Sequence, residues 1–309
     1  MQAQLQVILP VFAVIGFGYL AAWRGLFGET AVDALVRFTQ NFAIPCLLFR
    51  AISELDIGTA INTPILVSYY LGAFTSFALG YICARRFFDR SPADAVAIGF
   101  CCLFSNTILL GLPITEQVFG PDALEGNFAI IAFHAPLCYL LGVTAMEIAR
   151  STSLGFLGMS SRVFGAMFRN PFVIGIGLGL VVNITKLPLP GPFIDGIDIL
   201  AQAALPVALF SLGGVLVRYR PEGDTRTILM ICAISLVVHP GIVLATGMAL
   251  ALDRDALRSA VLTAAMAPGV NTYVFANMYG AARRVAASSV LIATAASILS
   301  IWAWLIVLP

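Results

Sequence analysis

The segment SNTILLGLPI, residues 105–114, brings polar and helix-breaking residues into an apolar stretch of the chain. Pro113 has no backbone N–H, and its ring clashes with the carbonyl four residues earlier. Gly111 weakens the helix that precedes it, because glycine loses more backbone freedom than other residues when it becomes helical. We therefore expect a helix that is interrupted within this segment.

The overall composition places this interruption inside a membrane protein. The chain has 309 residues, of which 60% are hydrophobic and 11% charged, and its mean hydropathy is +0.96. Soluble domains carry about 25% charged residues, so this chain cannot cover itself with a water-soluble surface. We predict an integral protein of the lipid bilayer. The net charge of +1 gives no electrostatic reason to expect a nucleic-acid partner.

The six cysteines all fall within apolar stretches, without CxxC spacing and without clustering in loops. This distribution is typical of small buried hydrophobic residues. We expect no disulfide, no metal site and no cofactor.

Ten stretches approach the length of about 20 apolar residues that a membrane-spanning helix requires. The sixth is short, and the fourth and ninth contain Gly and Pro. No Lys or Arg precedes Arg24, so we interpret the first stretch as a span and not as a secretory signal. The stretches lie near residues 4–23, 31–52, 62–84, 93–118, 126–149, 171–187, 197–217, 227–251, 257–280 and 285–307.

Positively charged residues predict the orientation of these spans. If the N-terminus lies outside the cytosol, thirteen of the 17 Lys and Arg residues fall in cytosolic loops. Both termini should then lie outside the cytosol, and the short loops favour a bacterial inner (plasma) membrane. Residues 151–170 repeat apolar side chains at helical spacing, which predicts a cytosolic interfacial linker helix; an irregular linker is the alternative.

Short echoes within the chain indicate an internal duplication. IPCLLF (44–49) returns as LPVALF (205–210), and VFG (118–120) returns as MYG (278–280), at nearly the same offset. These matches predict one five-helix repeat over residues 1–150 and a second over 171–309. Because five is odd, the second repeat must enter the membrane from the opposite face, as in many secondary transporters.

The ninth span carries an interruption that corresponds to the one in the fourth. Its sequence AMAPGVNTYVFANMYG (265–280) places Pro268 and Gly269 just before Asn271. A broken helix in lipid leaves backbone groups unpaired unless it faces protein, water or a ligand. Two such breaks near the membrane midplane can direct helix N-termini at an anion, and Asn106 and Asn271 add uncharged amide donors. The alternative is that these residues only kink helices or bond neighbouring helices.

Four stretches carry a resemblance to a known family. They are NFAIPCLLFRAIS (41–53), NTILLGLPI (106–114), AALPVALFSLGGVL (203–216) and APGVNTYVFANMYG (267–280). They resemble the signature stretches of the auxin efflux carrier family, which includes plant carriers and bacterial permeases. With all ten spans in order, the resemblance covers nearly the whole chain, and the short linker resembles the bacterial form.

The resemblance implies an all-α membrane protein with ten helices in two inverted five-helix repeats, in which broken helices four and nine cross. It implies export or exchange of small organic anions by an elevator-type motion between a scaffold domain and a transport domain, each drawn from both repeats. It also implies a homodimer. The implied substrate-binding residues are Asn106, Thr107, Gly111, Pro113, Pro268, Gly269, Val270 and Asn271, with Pro45 and Leu48 from helix two.

The chain departs from the family pattern in span five, where FHAPLCY (133–139) places His134 at a position expected to hold an uncharged amide. His134 and His239 are the only histidines and both fall within predicted spans. Ionisable groups in a membrane often have a function, and histidine exchanges protons near neutral pH. Both are candidates for proton coupling, and the alternative is a neutral imidazole bonded to a neighbouring helix.

Three other functions stay open at this point. A sodium- or proton-coupled symporter similar to the bile-acid symporters would place acidic residues beside the break, whereas residues 105–107 are Ser, Asn and Thr. A membrane enzyme such as a prenyltransferase would need paired Asp motifs for magnesium, and DGID (195–198) and DRD (253–255) lack the required spacing. We therefore expect a non-enzyme. A passive channel is the third alternative.

Overall fold

The computed structural model describes residues 2–54, 63–120, 123–150, 171–219 and 224–309, which form helices and turns without a β-strand. The first half contains α1 (Gln2–Trp23), α2 (Glu29–Phe38), α3 (Ile44–Glu54), α4 (Thr63–Phe87), α5 (Pro92–Leu103), α6 (Leu112–Phe119) and α7 (Leu124–Arg150). The second half contains α8 (Pro171–Thr185), α9 (Gly191–Leu216), α10 (Thr225–Ala233), α11 (His239–Ala249), α12 (Arg254–Ala264), α13 (Val270–Tyr279) and α14 (Arg283–Val307). Three π-helical turns, Thr39–Ala43, Thr107–Gly111 and Ile234–Val238, lead directly into α3, α6 and α11.

Within the described residues, five helical stretches are long and apolar enough to cross a bilayer. They are α4, α7, α9, the continuous stretch from α10 to α11, and α14. Shorter apolar helices accompany them at Leu9–Trp23, Pro92–Leu103, Thr107–Phe119 and Pro171–Thr185. The structure thus agrees with an all-helical membrane protein, while the arrangement of ten spans in inverted repeats stays a prediction.

The chain separates into two compact units, and each takes helices from both halves of the sequence. The larger unit comprises Met1–Ile8, Asn62–Ser160 and Tyr219–Pro309; the smaller comprises Leu9–Ile61 and Ser161–Arg218. The repeats predicted over residues 1–150 and 171–309 divide the chain by sequence, whereas these two units divide it by contacts. The repeats therefore stay a prediction. The predicted linker helix over 151–170 lies outside the described residues.

In the smaller unit, glycines allow helices α3 and α8 to approach closely. A Cβ added to Gly175 would lie 2.5 Å from the Pro45 carbonyl oxygen, and one added to Gly179 would lie 2.7 Å from the Phe49 carbonyl oxygen. The two glycines are four residues apart and so share one face of α8. Glycines in this spacing are a recurring interface in membrane helices, because they bring two backbones into contact.

The end of α3 is held by polar side chains of the same unit. Arg50 Nε donates to Asp198 Oδ1 of α9 at 2.7 Å, and Arg50 also pairs with Glu54. Asn183 Nδ2 of α8 donates to the Ile52 carbonyl at 2.9 Å. The Asn183 amide thus satisfies a carbonyl at the helix C-terminus that has no partner within the helix.

In the larger unit, charged side chains connect the end of α4 to the starts of α5, α10 and α14. Arg90 Nη2 donates to Asp224 Oδ2 at 3.1 Å, and the Ala282 N–H donates to Asp94 Oδ1 at 2.7 Å. The Arg150 guanidinium at the end of α7 lies 5.2 Å from the centre of the Tyr279 ring at the end of α13, so these two helix ends are also in contact. Six exposed arginines therefore lie at this end of the unit: Arg85, Arg86, Arg150, Arg226, Arg283 and Arg284.

The fourth span is interrupted within residues 105–114, as expected, but the expectation that Gly111 and Pro113 cause the break was wrong. The chain is helical from Thr107 through Phe119, and the non-helical residues are Phe104–Asn106. Gly111 N–H donates to the Asn106 carbonyl and Leu112 N–H to the Thr107 carbonyl, so both bonds reach five residues back. The wider π turn carries the chain directly into α6, whose second residue is Pro113, so the helical segment continues through the proline.

Candidate functional site

The interruptions of the two spans pair with each other through their backbones. Ser105 and Pro268 form an isolated antiparallel bridge. The Asn106 N–H donates to the Ala267 carbonyl at 2.8 Å, and the Gly269 N–H donates to the Phe104 carbonyl at 2.9 Å. Each break thus supplies the hydrogen-bond partners that the other lacks, which an interrupted helix in an apolar interior requires.

Two helices start directly beside this bridge. One helical segment begins at Thr107 and continues into α6, and α13 begins at Val270 after Gly269. The first N–H groups of a helix have no partner within the helix, and the helix dipole makes this end partly positive. The α13 start receives no side-chain cap. The pair of starts forms a polar region that favours an anion.

Asn106 is the residue that most clearly points to a ligand. Its Oδ1 accepts a hydrogen bond from the Leu109 N–H at 3.2 Å, so this oxygen caps the segment that leads into α6. Its side chain is 6% exposed, and its Nδ2 has no hydrogen-bond partner among the described residues. A buried donor without a partner costs about 1–3 kcal/mol. A negatively charged ligand beside the two helix starts would satisfy it.

Of the other predicted site residues, five lie at the bridge or in the first turn of α13, two lie further along the helical segment, and two belong to the smaller unit. Thr107, Pro268 and Gly269 are buried next to it, and Val270 and Asn271 are partly exposed in the first turn of α13. Gly111 and Pro113 are buried further along the helical segment. Pro45 and Leu48 belong to the smaller unit: the Pro45 carbonyl faces Gly175, and Leu48 is fully buried.

The two histidines lie beside Ser105, the bridge residue that precedes Asn106. His134 Nε2 is 3.2 Å from the Ser105 carbonyl oxygen, and His239 Nδ1 is 3.4 Å from the Ser105 hydroxyl. Both imidazoles are buried. Proton coupling by these residues stays a prediction.

Aromatic rings connect the bridge to three helices. Phe100 of α5 stacks on Phe275 of α13 with centroids 4.0 Å apart, and Tyr139 of α7 lies 5.4 Å from Phe100. Phe104, which begins the first interruption, lies 4.5 Å from the His134 ring. These contacts hold α5, α7 and α13 in place around the bridge.

The chain matches the family described as membrane transport protein over residues 4–305. It belongs to this family, the auxin efflux carriers. The family resemblance of its four sequence motifs is thereby confirmed.

Curated relatives of this membrane transport protein cover nearly its full length. It is 25% identical to a putative malonate transporter of Rhizobium meliloti (strain 1021), over 96% of the chain and 92% of the relative. It is 22% identical to the uncharacterized transporter YfdV of Escherichia coli (strain K12), over 97% and 96%. It is 21% identical to auxin efflux carrier component 5 of Arabidopsis thaliana, over 89% and 88%.

A buried polar cluster beside the candidate site of this membrane transport protein was not predicted. Asn127 at the start of α7 donates through Nδ2 to Thr115 Oγ1 of α6 at 3.1 Å and to Thr263 Oγ1 of α12 at 2.9 Å. All three residues are fully buried. The cluster joins α6, which follows the first interruption, to α12, which precedes the second. An amide within an apolar stretch is visible in the sequence, but its two partners are not.

Tyr69 and Ser105 were also missed as members of the site. Tyr69 lies on α4 and is fully buried, with its hydroxyl 3.4 Å from His134 Nδ1. The described residues contain no group of three His, Cys, Asp or Glu side chains that could hold a metal ion, and all six cysteines are free thiols.

Proposed function

We propose that this membrane transport protein is a secondary carrier that exports or exchanges small organic anions, and that weak carboxylic acids are its substrates. The observation that carries the proposal is the unpartnered Asn106 Nδ2, buried between the start of the Thr107 segment and the start of α13. A carboxylate accepts hydrogen bonds from an amide and from helix N-termini, and is favoured by the dipoles of both helices. The binding region uses partial charges, so the substrate is held weakly enough to be released.

The relatives support the same substrate class. One of them is named a putative malonate transporter and another an auxin efflux carrier component, and both names refer to carboxylic acids. We choose malonate as the first probe for this reason, since it is the smaller acid and carries two carboxylates. Malonate is a probe here and is not assigned as the physiological substrate.

We propose an elevator-type mechanism in which the larger unit carries the site. The bridge, Asn106 and both helix starts all belong to the larger unit. Each unit is a compact body built from both halves of the chain, as a moving transport domain and a static scaffold would be. A homodimer and a bacterial inner membrane stay predictions.

The arginine-rich end of the larger unit supports the proposed orientation. It contains the starts of α5, α10 and α14, and its exposed arginines outnumber those of the opposite end, where Arg254 and Arg258 begin α12. Cytosolic ends of membrane proteins are enriched in Arg and Lys. We therefore place the Arg90–Asp224 side in the cytosol.

Counterflow in sealed liposomes tests the proposal. Vesicles loaded with unlabelled malonate should accumulate labelled malonate above its equilibrium level, because a carrier trades one substrate for another and a channel does not. The assay is repeated with other mono- and dicarboxylates, at two pH values, with and without sodium. Equilibration without overshoot for every acid in the panel contradicts the carrier. Overshoot that requires sodium would instead favour the sodium-coupled symporter.

The variant Asn271→Ala tests the α13 side of the site. It removes a partly exposed amide from the first turn of α13, and we expect about tenfold weaker malonate binding, as for one lost hydrogen bond to a charged group. Asn277→Ala, at an exposed position six residues later in the same helix, is the matched control and should bind as the wild type. Equal affinity for Asn271→Ala and wild type would remove Asn271 from the site.

A further inference from the structure

Ser105 is contacted by groups from three helices. Its carbonyl faces His134 Nε2 of α7, and its hydroxyl donates to the Ala264 carbonyl of α12 at 3.3 Å. The same hydroxyl lies 3.4 Å from His239 Nδ1 of α11. Because Asn106 follows Ser105 directly, whatever fixes the Ser105 peptide also fixes the backbone from which the Asn106 side chain extends.

The partners of His134 determine which of its nitrogens carries the proton. A carbonyl oxygen can only accept, so His134 Nε2 must donate to Ser105. In the neutral ring Nδ1 is then an acceptor, and the Tyr69 hydroxyl, 3.4 Å away, is placed to donate to it. The result is a chain of two hydrogen bonds that runs from Tyr69 through His134 to the backbone at the bridge.

The groups that face His134 favour this uncharged arrangement. α4 contributes the Tyr69 hydroxyl, and α7 itself contributes the Cys138 thiol at 3.7 Å from Nδ1. His239 of α11 packs with its ring 5.3 Å from the Tyr69 ring, and is close enough to His134 to interact electrostatically. The bridge segment contributes the Phe104 ring and the Ser105 carbonyl. None of these contacts supplies a carboxylate, the partner that an imidazolium in an apolar interior requires.

We propose that His134 and Tyr69 are positioning residues that act uncharged: they fix the Ser105 peptide and thereby aim the Asn106 amide at the substrate. The inference rests on the proposed carboxylate site for its effect on binding, but the hydrogen bonds to the bridge are independent of any substrate. Proton coupling through His134 is the competing outcome of the experiment below.

Hydrogen–deuterium exchange with mass spectrometry tests the positioning without a substrate. Peptides that cover residues 103–110 should exchange about fivefold faster in His134→Phe, which keeps a ring and loses the donor, as expected for one lost hydrogen bond. His134→Gln retains an N–H donor near the position of Nε2 and should restore slow exchange. Tyr69→Phe removes a single hydroxyl and should raise exchange by a smaller factor, which keeps the test available if His134→Phe fails to fold. Wild-type exchange in these peptides for both His134→Phe and Tyr69→Phe overturns the proposal.

Malonate binding at pH 6.5 and pH 8.0 separates positioning from proton coupling. We expect His134→Phe to bind malonate several-fold more weakly and His134→Gln to recover most of the affinity. The ratio of the His134→Gln affinity to the wild-type affinity should be the same at both pH values, and this ratio cancels the ionisation of malonate itself. A ratio that changes with pH overturns the uncharged role and favours proton coupling. Absence of carboxylate binding by the wild type would refute the proposed function, while the exchange experiment would still test the positioning.

Discussion

Replacing Asn106 separates two roles that the same side chain combines. Its Oδ1 caps the helical segment through the Leu109 N–H, and its Nδ2 is a buried donor without a partner. Asn106→Ala removes both groups. Asn106→Asp keeps an oxygen for the cap, since Asp and Asn are equally good N-cap residues, but replaces the donor with a second acceptor that carries a negative charge.

The expected magnitudes differ between stability and binding. Loss of the cap in Asn106→Ala should lower the free energy of unfolding by about 1 kcal/mol. Loss of the donor to a carboxylate should cost about 1.5–3 kcal/mol of binding, or roughly a tenfold to hundredfold increase in Kd for malonate. Asn106→Asp should be as stable as the wild type, because its carboxylate lies beside two helix N-termini. It should nevertheless lose malonate binding, because it places an anion where the substrate would bind.

Thermal unfolding of the purified protein in detergent, with increasing malonate, measures both effects. The wild type should gain stability with malonate, since a ligand that binds only the folded state stabilises it. Asn106→Ala, which loses the cap and also the unpartnered donor, should gain less than the wild type, and Asn106→Asp should gain nothing. If Asn106→Asp gains as much from malonate as the wild type, or if Asn106→Ala binds with unchanged Kd, then Asn106 is not a substrate ligand.

Two further predictions concern packing and pH. Gly175→Ala should destabilise the protein by about 1–3 kcal/mol, because the new Cβ would lie 2.5 Å from the Pro45 carbonyl oxygen. Gly177→Ala is the control and should not destabilise it, because its new Cβ would meet no atom within 4 Å. Equal unfolding temperatures for the two variants would contradict the close α3–α8 contact. The Thr227 hydroxyl, which donates to Asp224 at 2.6 Å, holds the pKa of Asp224 below its usual value, and the Arg90 guanidinium lowers this pKa further. The stability from this carboxylate is present above the unfolded pKa of about 4 and is lost as pH falls through the lower folded value. Asp224→Asn should therefore destabilise the protein at pH 7 but not near pH 2, as measured by thermal unfolding. An equal loss of stability at both pH values would contradict this prediction.

The interruption of the ninth span was predictable because its causes are local. Pro268 lacks an N–H wherever it occurs, and Gly269 before a helical stretch is a favourable helix start. The membrane class was predictable for the same kind of reason, since it depends on composition and on the length of apolar stretches. These are properties of covalent structure and of short segments, which do not depend on the rest of the fold.

The position of the first interruption was not predictable in the same way. Pro113 and Gly111 suggested a break at their own positions, but a π turn at Thr107–Gly111 carries the helix through them. The break moved to Phe104–Asn106, where the backbone finds partners at Ala267 and Gly269. The location of a break depends on where its unpaired groups can be satisfied, and those partners lie in a distant part of the chain.

By itself, the sequence determined that the protein is a membrane protein, that two spans contain residues able to interrupt a helix, and that Asn106 and Asn271 accompany them. Only the tertiary structure decided that Ser105 pairs with Pro268, that Tyr69 is linked to the Ser105 carbonyl through His134, and that Asn106 Nδ2 lacks a partner. The physical reason is that a residue's capacity to donate or accept a hydrogen bond depends only on its own covalent structure. Whether that capacity is satisfied depends on which other segments the fold brings within about 3 Å.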